Sequence, residues 1–159
     1  MDWDFRVPTT ERLTLVPFSL NSRRLGSGTL NNIPFDGIKK LTGGAGNDQF
    51  VIAASGDLAG IINGGGGLDT MDLTALTGPR TIDLGPKTIS GLLATFASIQ
   101  TIRMPSGVLN TLVGPNTNSA WSINGVNQVT VAGVQLIGVG NIRGSDLKAG
   151  LATMSSRWE

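Results

Sequence analysis

An apolar residue followed by a polar one, usually leading into a glycine-containing turn, recurs along this chain with a nearly constant period. The pattern occurs at Leu41-Thr42-Gly43, Ile62-Asn63-Gly64, Ile82-Asp83-Leu84-Gly85, Ile102-Arg103, Ile123-Asn124-Gly125 and Ile142-Arg143-Gly144. Its apolar positions are separated by 21, 20, 20, 21 and 19 residues. A second series, half a period away, holds Phe50, Met71, Leu92, Leu112 and Val131, separated by 21, 21, 20 and 19 residues. One period back from Leu41 and Phe50 lie Leu20 and Leu30. A fixed period of this length is the signature of a chain wound in repeating units.

One such unit cannot bury its own inward side chains. Stacking units at about 4.8 Å pairs their backbone groups and lines up the inward residues in ladders. The period therefore predicts an all-β fold, a right-handed parallel β-helix or β-roll-like solenoid of about seven coils of ~20 residues. Such a stack would be a rod on the order of 34 Å long. The expected layout is one domain over 1–159, with 1–12 as lead or cap, 13–146 as coils and 147–159 as cap or tail. Pro8, Pro34, Pro79, Pro86, Pro105 and Pro115 mostly fall between the apolar positions, where a missing N–H does least harm to a ladder. The segment from Ile33 to Gly43 is echoed by that from Val134 to Gly144, with Gly37 matching Gly138 and Leu41 matching Ile142. Short helices are compatible with 91–97 and 147–154. The competing arrangement is a two-sheet sandwich of evenly spaced hairpins.

Composition restricts the chemistry. Charged residues make up only 14% of the chain, against about a quarter in ordinary globular domains. Glycine, threonine, asparagine and serine take their place, which favours short strands and tight turns. Histidine and cysteine are both absent, so Ser-His and Cys-His nucleophiles, histidine or thiolate zinc sites and disulfides are all excluded. The net charge is +1 with scattered cations, so no nucleic-acid footprint is expected. The longest apolar stretch, near Val129 to Val139, is broken by glycine and Gln135 and is too short to span a bilayer. The acidic start MDWDFRVPTTER does not read as a signal peptide. Trp121 is expected to pack in a ladder or at a coil end rather than to serve as a sugar platform, and Trp3, Phe5 and Trp158 are expected to pack at the termini.

Two segments carry the nonapeptide G-G-x-G-x-D-x-U-x, where U is a large apolar residue: GGAGNDQFV from Gly43 and GGGGLDTMD from Gly64. With the flanking LTGGAGNDQFVI and IINGGGGLDTMDLTAL, this resembles the haemolysin-type calcium-binding (RTX) repeat found in large bacterial surface adhesins and haemagglutinin-like proteins. The resemblance implies calcium held between adjacent loops by the carboxylates of Asp48 and Asp69 and by carbonyls near Gly44, Gly46, Gly65 and Gly67. Calcium takes six to eight oxygen ligands, and glycines permit the tight loop that presents carbonyls. Asp48 and Asp69 are 21 residues apart, one period, so their loops should stack on one edge. The chain departs from the family in having only two intact motifs. Asn110 stands at the next aspartate position, and only Asp146 survives at the one after.

The expected function is therefore a structural or adhesive repeat module of a secreted or cell-surface bacterial protein, stiffened by calcium, and not an enzyme. Open ends of a coil stack present unpaired strand edges, so self-association is an expected partnership. A host-surface or carbohydrate ligand is the other. One alternative is a polysaccharide-degrading β-helix enzyme using carboxylates, but the 11 acids form no compact cluster. A truncated, non-functional fragment is the other alternative.

Overall fold

In the computed structural model, residues 4–6, 12–15, 28–30, 33–54, 56, 58–144 and 154–155 are described. Trp3, Leu20, Asp146 and Trp158 lie outside them. The strands, in chain order, are β1 (Asp4–Arg6), β2 (Arg12–Leu15), β3 (Gly28–Leu30), β4 (Ile33–Phe35), β5 (Lys40–Thr42) and β6 (Gln49–Ile52). They continue as β7 (Ile61–Asn63), β8 (Thr70–Asp72), β9 (Thr81–Asp83), β10 (Thr88–Ile89), β11 (Thr95–Ala97) and β12 (Thr101–Arg103). The last are β13 (Asn110–Val113), β14 (Trp121–Gly125), β15 (Gln128–Val131), β16 (Val134–Ile137), β17 (Val139–Arg143) and β18 (Met154–Ser155). The described residues are all-β, and among them no helix is long and apolar enough to cross a membrane. The helix expected over 91–97 is instead a turn leading into β11. Of the one expected over 147–154, only Met154 is described, in a strand.

These strands are short because only two or three residues at a time alternate. A typical one reads polar-apolar-polar with the middle residue buried, as in Thr81-Ile82-Asp83 and Thr101-Ile102-Arg103. Side chains alternate across a strand, so a triplet offers one inward rung before the chain turns. The β-branched threonines suit the exposed flank of a pleated surface.

The strands form two open sheets. One has the order β1-β5-β7-β11-β10-β9-β13-β17 and the other β18-β14-β15-β16-β12-β8-β6-β2-β3-β4. The chain crosses repeatedly between them, and a strand that follows a crossing pairs in parallel with strands of neighbouring crossings, whereas consecutive strands within one sheet pair antiparallel. Thus β5 pairs in parallel with β7, and β6 with β8. The buried faces of both sheets contribute to one core, which includes Leu41, Ile62, Phe96, Ile82 and Leu112 from the first and Phe50, Met71, Ile102, Leu136 and Val129 from the second.

The single column expected through Leu41, Ile62, Ile82, Ile102, Ile123 and Ile142 does not form; two columns do. In the first sheet Leu41 is in register with Ile62, Ile62 with Phe96, Ile82 with Leu112 and Leu112 with Ile142. In the second, Phe50 is in register with Met71, Met71 with Ile102, Ile102 with Leu136, Leu136 with Val129 and Val129 with Ile123. The strict offset of 21 residues holds through β5 on β7, the corners at Asp48 and Asp69, and β6 on β8. Further on, corresponding residues are 31 and 30 apart. The cause is a set of three-stranded antiparallel excursions: β9-β10-β11 in the first sheet, and β2-β3-β4 and β14-β15-β16 in the second. Each folds a stretch of chain back beside itself before the next crossing, so residues one period apart in sequence fall in different sheets. Uniform coils of ~20 residues are therefore limited to β5 through β8. In the second series Leu112 belongs to the first sheet, and Leu92 lies in the turn between β10 and β11.

Candidate functional site

The two glycine-rich motifs are the corners that carry the chain from the first sheet to the second. Residues 43–48 join β5 to β6, and residues 64–69 join β7 to β8. The corners stack as the spacing predicts. Gly43 N–H donates to Asn63 O at 2.8 Å, Gly66 N–H to Gly44 O at 2.9 Å, and Thr70 N–H to Asp48 O at 2.9 Å. The side chain of Asn47 joins in, accepting from Leu68 N–H at 2.7 Å.

The sequence explains the double glycines. A Cβ on Gly43 would overlap Gly64 O and Asp48 Oδ2, and a Cβ on Gly64 would overlap Ser98 O and Asp69 Oδ2. The first glycine of each motif is thus a close approach of backbone to backbone and to its own motif's carboxylate. Gly67 answers a different demand: its φ of 95° is a conformation that L side chains rarely adopt.

Both aspartates are buried, Asp48 at 2% and Asp69 at 0% exposure. Asp48 Oδ2 accepts the N–H of Gly44 in its own corner at 2.8 Å. Asp69 Oδ1 reaches into the neighbouring corner and accepts the N–H of Asp48 at 2.8 Å. The series continues beyond the motifs. Gln100 Oε1 accepts the N–H of Asp69 at 2.7 Å, and at the opposite edge Asn110 Oδ1 accepts the N–H of Arg80 at 2.9 Å. In each case the residue at the entry to a strand turns an oxygen onto the N–H at the entry to the strand stacked beside it. These N–H groups sit where the corner departs from the ladder, and a buried donor left unpaired there is costly. Asn110 completes its own hydrogen bonds by donating to Pro105 O at 2.7 Å and Gly138 O at 2.9 Å. Although the sequence aligns it with the motif's aspartate, Asn110 serves the opposite edge, and the place after Asp69 in the stack is taken by Gln100.

The sequence reading missed Gln100. Its corner, Ser98-Ile99-Gln100, is too short to hold the nonapeptide. The available signal was a polar residue immediately before Thr101-Ile102-Arg103, the place that Asp69 takes before Thr70-Met71-Asp72.

Asp69 Oδ2 is buried and has no hydrogen-bond partner. Burial pushes the Asp69 carboxyl above the ordinary aspartate range. The Asp48 N–H acts in the opposite direction, and the nearby Asp48 carboxylate adds to the rise. The corner thus brings together Asp48, Asp69, Gly44, Gly46, Gly65 and Gly67. The Gly44 carbonyl is already an acceptor from Gly66, and a Cβ on Gly67 would overlap the Gly46 carbonyl, so these loops pack directly on each other. Among the described residues no three acidic, histidine or cysteine side chains converge. For a cation of the oxygen-preferring kind, Asp69 Oδ2 is the carboxylate oxygen with no hydrogen bond to give up.

Trp121 packs as expected. Its ring covers Gly114 so closely that a Cβ there would overlap it, and the side chain lies against the core. No family profile, no curated protein and no solved structure matches the chain.

Proposed function

We propose that the chain is a structural and adhesive module, a β-helical stack whose two sheets are its walls. It would form part of a longer secreted or surface-exposed bacterial protein of the haemolysin-repeat kind. The observation that carries this reading is the stacking of two GGxGxD corners at an offset of 21 residues, with the Asp69 carboxylate bound to the Asp48 N–H. A corner that couples one wind of chain to the next has a mechanical role: it resists separation of adjacent strands. The lack of histidine and cysteine removes Ser-His and Cys-His nucleophiles, and the backbone hydrogen bonds of Asp48 and Asp69 support a structural role for these two carboxylates.

Calcium is the cation that the repeat resemblance implies. Asp48 and Asp69, with carbonyls near Gly44, Gly46, Gly65 and Gly67, would hold it, and its charge would offset the two stacked carboxylates. Thermal melting in calcium and in chelator tests this, because a ligand specific to the folded state raises the midpoint. The reading expects a rise that an Asp48→Ala/Asp69→Ala pair abolishes. No shift at millimolar calcium removes the metal.

The adhesive part is tested separately. Beads coated with the folded chain are compared with beads coated with heat-unfolded chain for retention on immobilised host-surface glycans. Equal retention would sink it.

A further inference from the structure

Two of the antiparallel excursions, β9-β10-β11 and β14-β15-β16, leave a gap in one edge of the molecule. On the edge where the chain crosses from the first sheet to the second, corners 43–48, 64–69 and 98–100 follow one another. The next crossing is 114–120, between β13 and β14. Between them the strand orders β11-β10-β9-β13 and β12-β16-β15-β14 place two levels at which the sheets are not joined. There each sheet turns back on itself, at the β9–β10 turn through Leu84 and Lys87 and at the β15–β16 turn through Ala132 and Gly133. The result is a notch of about 420 Å³ that opens between the sheets. This is the size range of small-molecule sites.

Its lining divides by chemistry. Leu84, Phe96 and Val134 supply apolar walls, and Lys87, Ser98 and Gln100 supply the polar positions. Among the described residues no acidic side chain lines it. Gln100 Oε1 is committed to the Asp69 N–H, which leaves its Nε2 group as a donor. A lysine, a serine and a glutamine thus border one apolar recess. Three of the four described non-glycine residues with positive φ, Lys87 at 57°, Ser98 at 50° and Ala132 at 49°, line this same notch. Ala132, followed by Gly133 at 77°, has the positive φ of a two-residue hairpin turn, whereas Lys87 and Ser98 are held in backbone that costs free energy to adopt.

We propose that this notch binds small organic carboxylates with an apolar body. The carboxylate meets Lys87, Ser98 and Gln100, and the body lies against Leu84, Phe96 and Val134. Charge complementarity selects an anion, and the apolar walls favour an organic one over phosphate or sulfate.

The test uses the full chain, with hydrocinnamate as probe and hydrocinnamyl alcohol as its neutral counterpart, followed by amide NMR. Hydrocinnamate is expected to shift the amides of Leu84, Ser98 and Val134 saturably, and the alcohol to bind about tenfold more weakly or worse. Lys87→Asn removes the charge with a residue that tolerates positive φ, and it should weaken the acid by about tenfold while leaving the alcohol unchanged. Should the variant not fold, the acid–alcohol comparison on the unaltered chain decides alone. Equal binding of acid and alcohol, shifts confined elsewhere, or no saturable shift at all would overturn the proposal.

Discussion

The backbone N–H of Asp48 donates to the carboxylate of Asp69 at 2.8 Å, although the two residues are 21 positions apart. The contact couples sequence period to three-dimensional stacking. It also sets the chemistry of the corner, because it satisfies one oxygen of Asp69 and leaves the other buried without a partner.

Replacing that side chain separates hydrogen bonding from charge. Asp69→Asn keeps an acceptor for the Asp48 N–H, whereas Asp69→Ala leaves the N–H buried and unpaired. The alanine variant is expected to lose about 1–3 kcal/mol. The asparagine variant should lose less, because the uncharged amide avoids burying a charge beside Asp48. Urea unfolding midpoints of the three proteins at neutral pH check the order. Equal losses for Asn and Ala would show that the hydrogen bond contributes nothing.

The raised pKa of Asp69 has a definite sign in pH dependence. The folded state holds this proton more tightly than the unfolded state. The favourable contribution is complete below the unfolded pKa, about 3.9, and is lost as pH rises through the higher folded value. The stability of the parent chain relative to Asp69→Asn should therefore fall as pH is raised from about 4 towards neutrality. Paired urea titrations across that range measure the difference. A difference that grows with pH would contradict the assigned direction.

Gly64 and Gly66 sit two residues apart in one corner and should respond very differently to a methyl group. At Gly64 the Cβ would overlap the Ser98 carbonyl and the Asp69 carboxylate. At Gly66 its nearest neighbour would be Ala45 Cα at 3.5 Å, an ordinary contact. Gly64→Ala should cost at least about 1–3 kcal/mol, the range for forcing extra atoms into packed structure. Gly66→Ala should stay within about 0.5 kcal/mol, as exposed sites do. Melting curves of the two single variants suffice.

How much of this was legible depends on what each residue's signal reports. The double-glycine motifs were read correctly as stacked corners because their spacing and their steric demand are both local to the sequence. The echo between Ile33–Gly43 and Val134–Gly144 was also meaningful. Each spans a strand of the second sheet, a glycine with positive φ, at Gly37 or Gly138, and then a strand of the first sheet. The partition of Ile82 and Ile102 into different sheets was not legible. Both sit in identical polar-apolar-polar triplets, and nothing in a triplet reports whether the next turn crosses the core or folds back. That information lies in turns such as Leu84–Lys87, where Lys87 takes a positive φ usually left to glycine or asparagine. Gln100 was missed for a related reason. Its role depends on the N–H of Asp69, a partner 31 residues away, and not on its own neighbours.

The sharpest contrast between sequence and structure concerns Ile62 and Ile123, which the period treats as equivalent rungs. Ile62 is fully buried in the first sheet, between Leu41 and Phe96. Ile123 lies in the second sheet, beyond Val129, and is 38% exposed. Truncating a buried isoleucine removes its transfer free energy and leaves a cavity, for a total of about 2–5 kcal/mol. A partly exposed one at the end of a column leaves a space that solvent fills, so Ile123→Ala should cost less than about 1 kcal/mol. Guanidinium midpoints of Ile62→Ala and Ile123→Ala, compared with the parent, measure both. Equal losses would mean that the two isoleucines share one buried column after all, and the division into two columns would have to be given up.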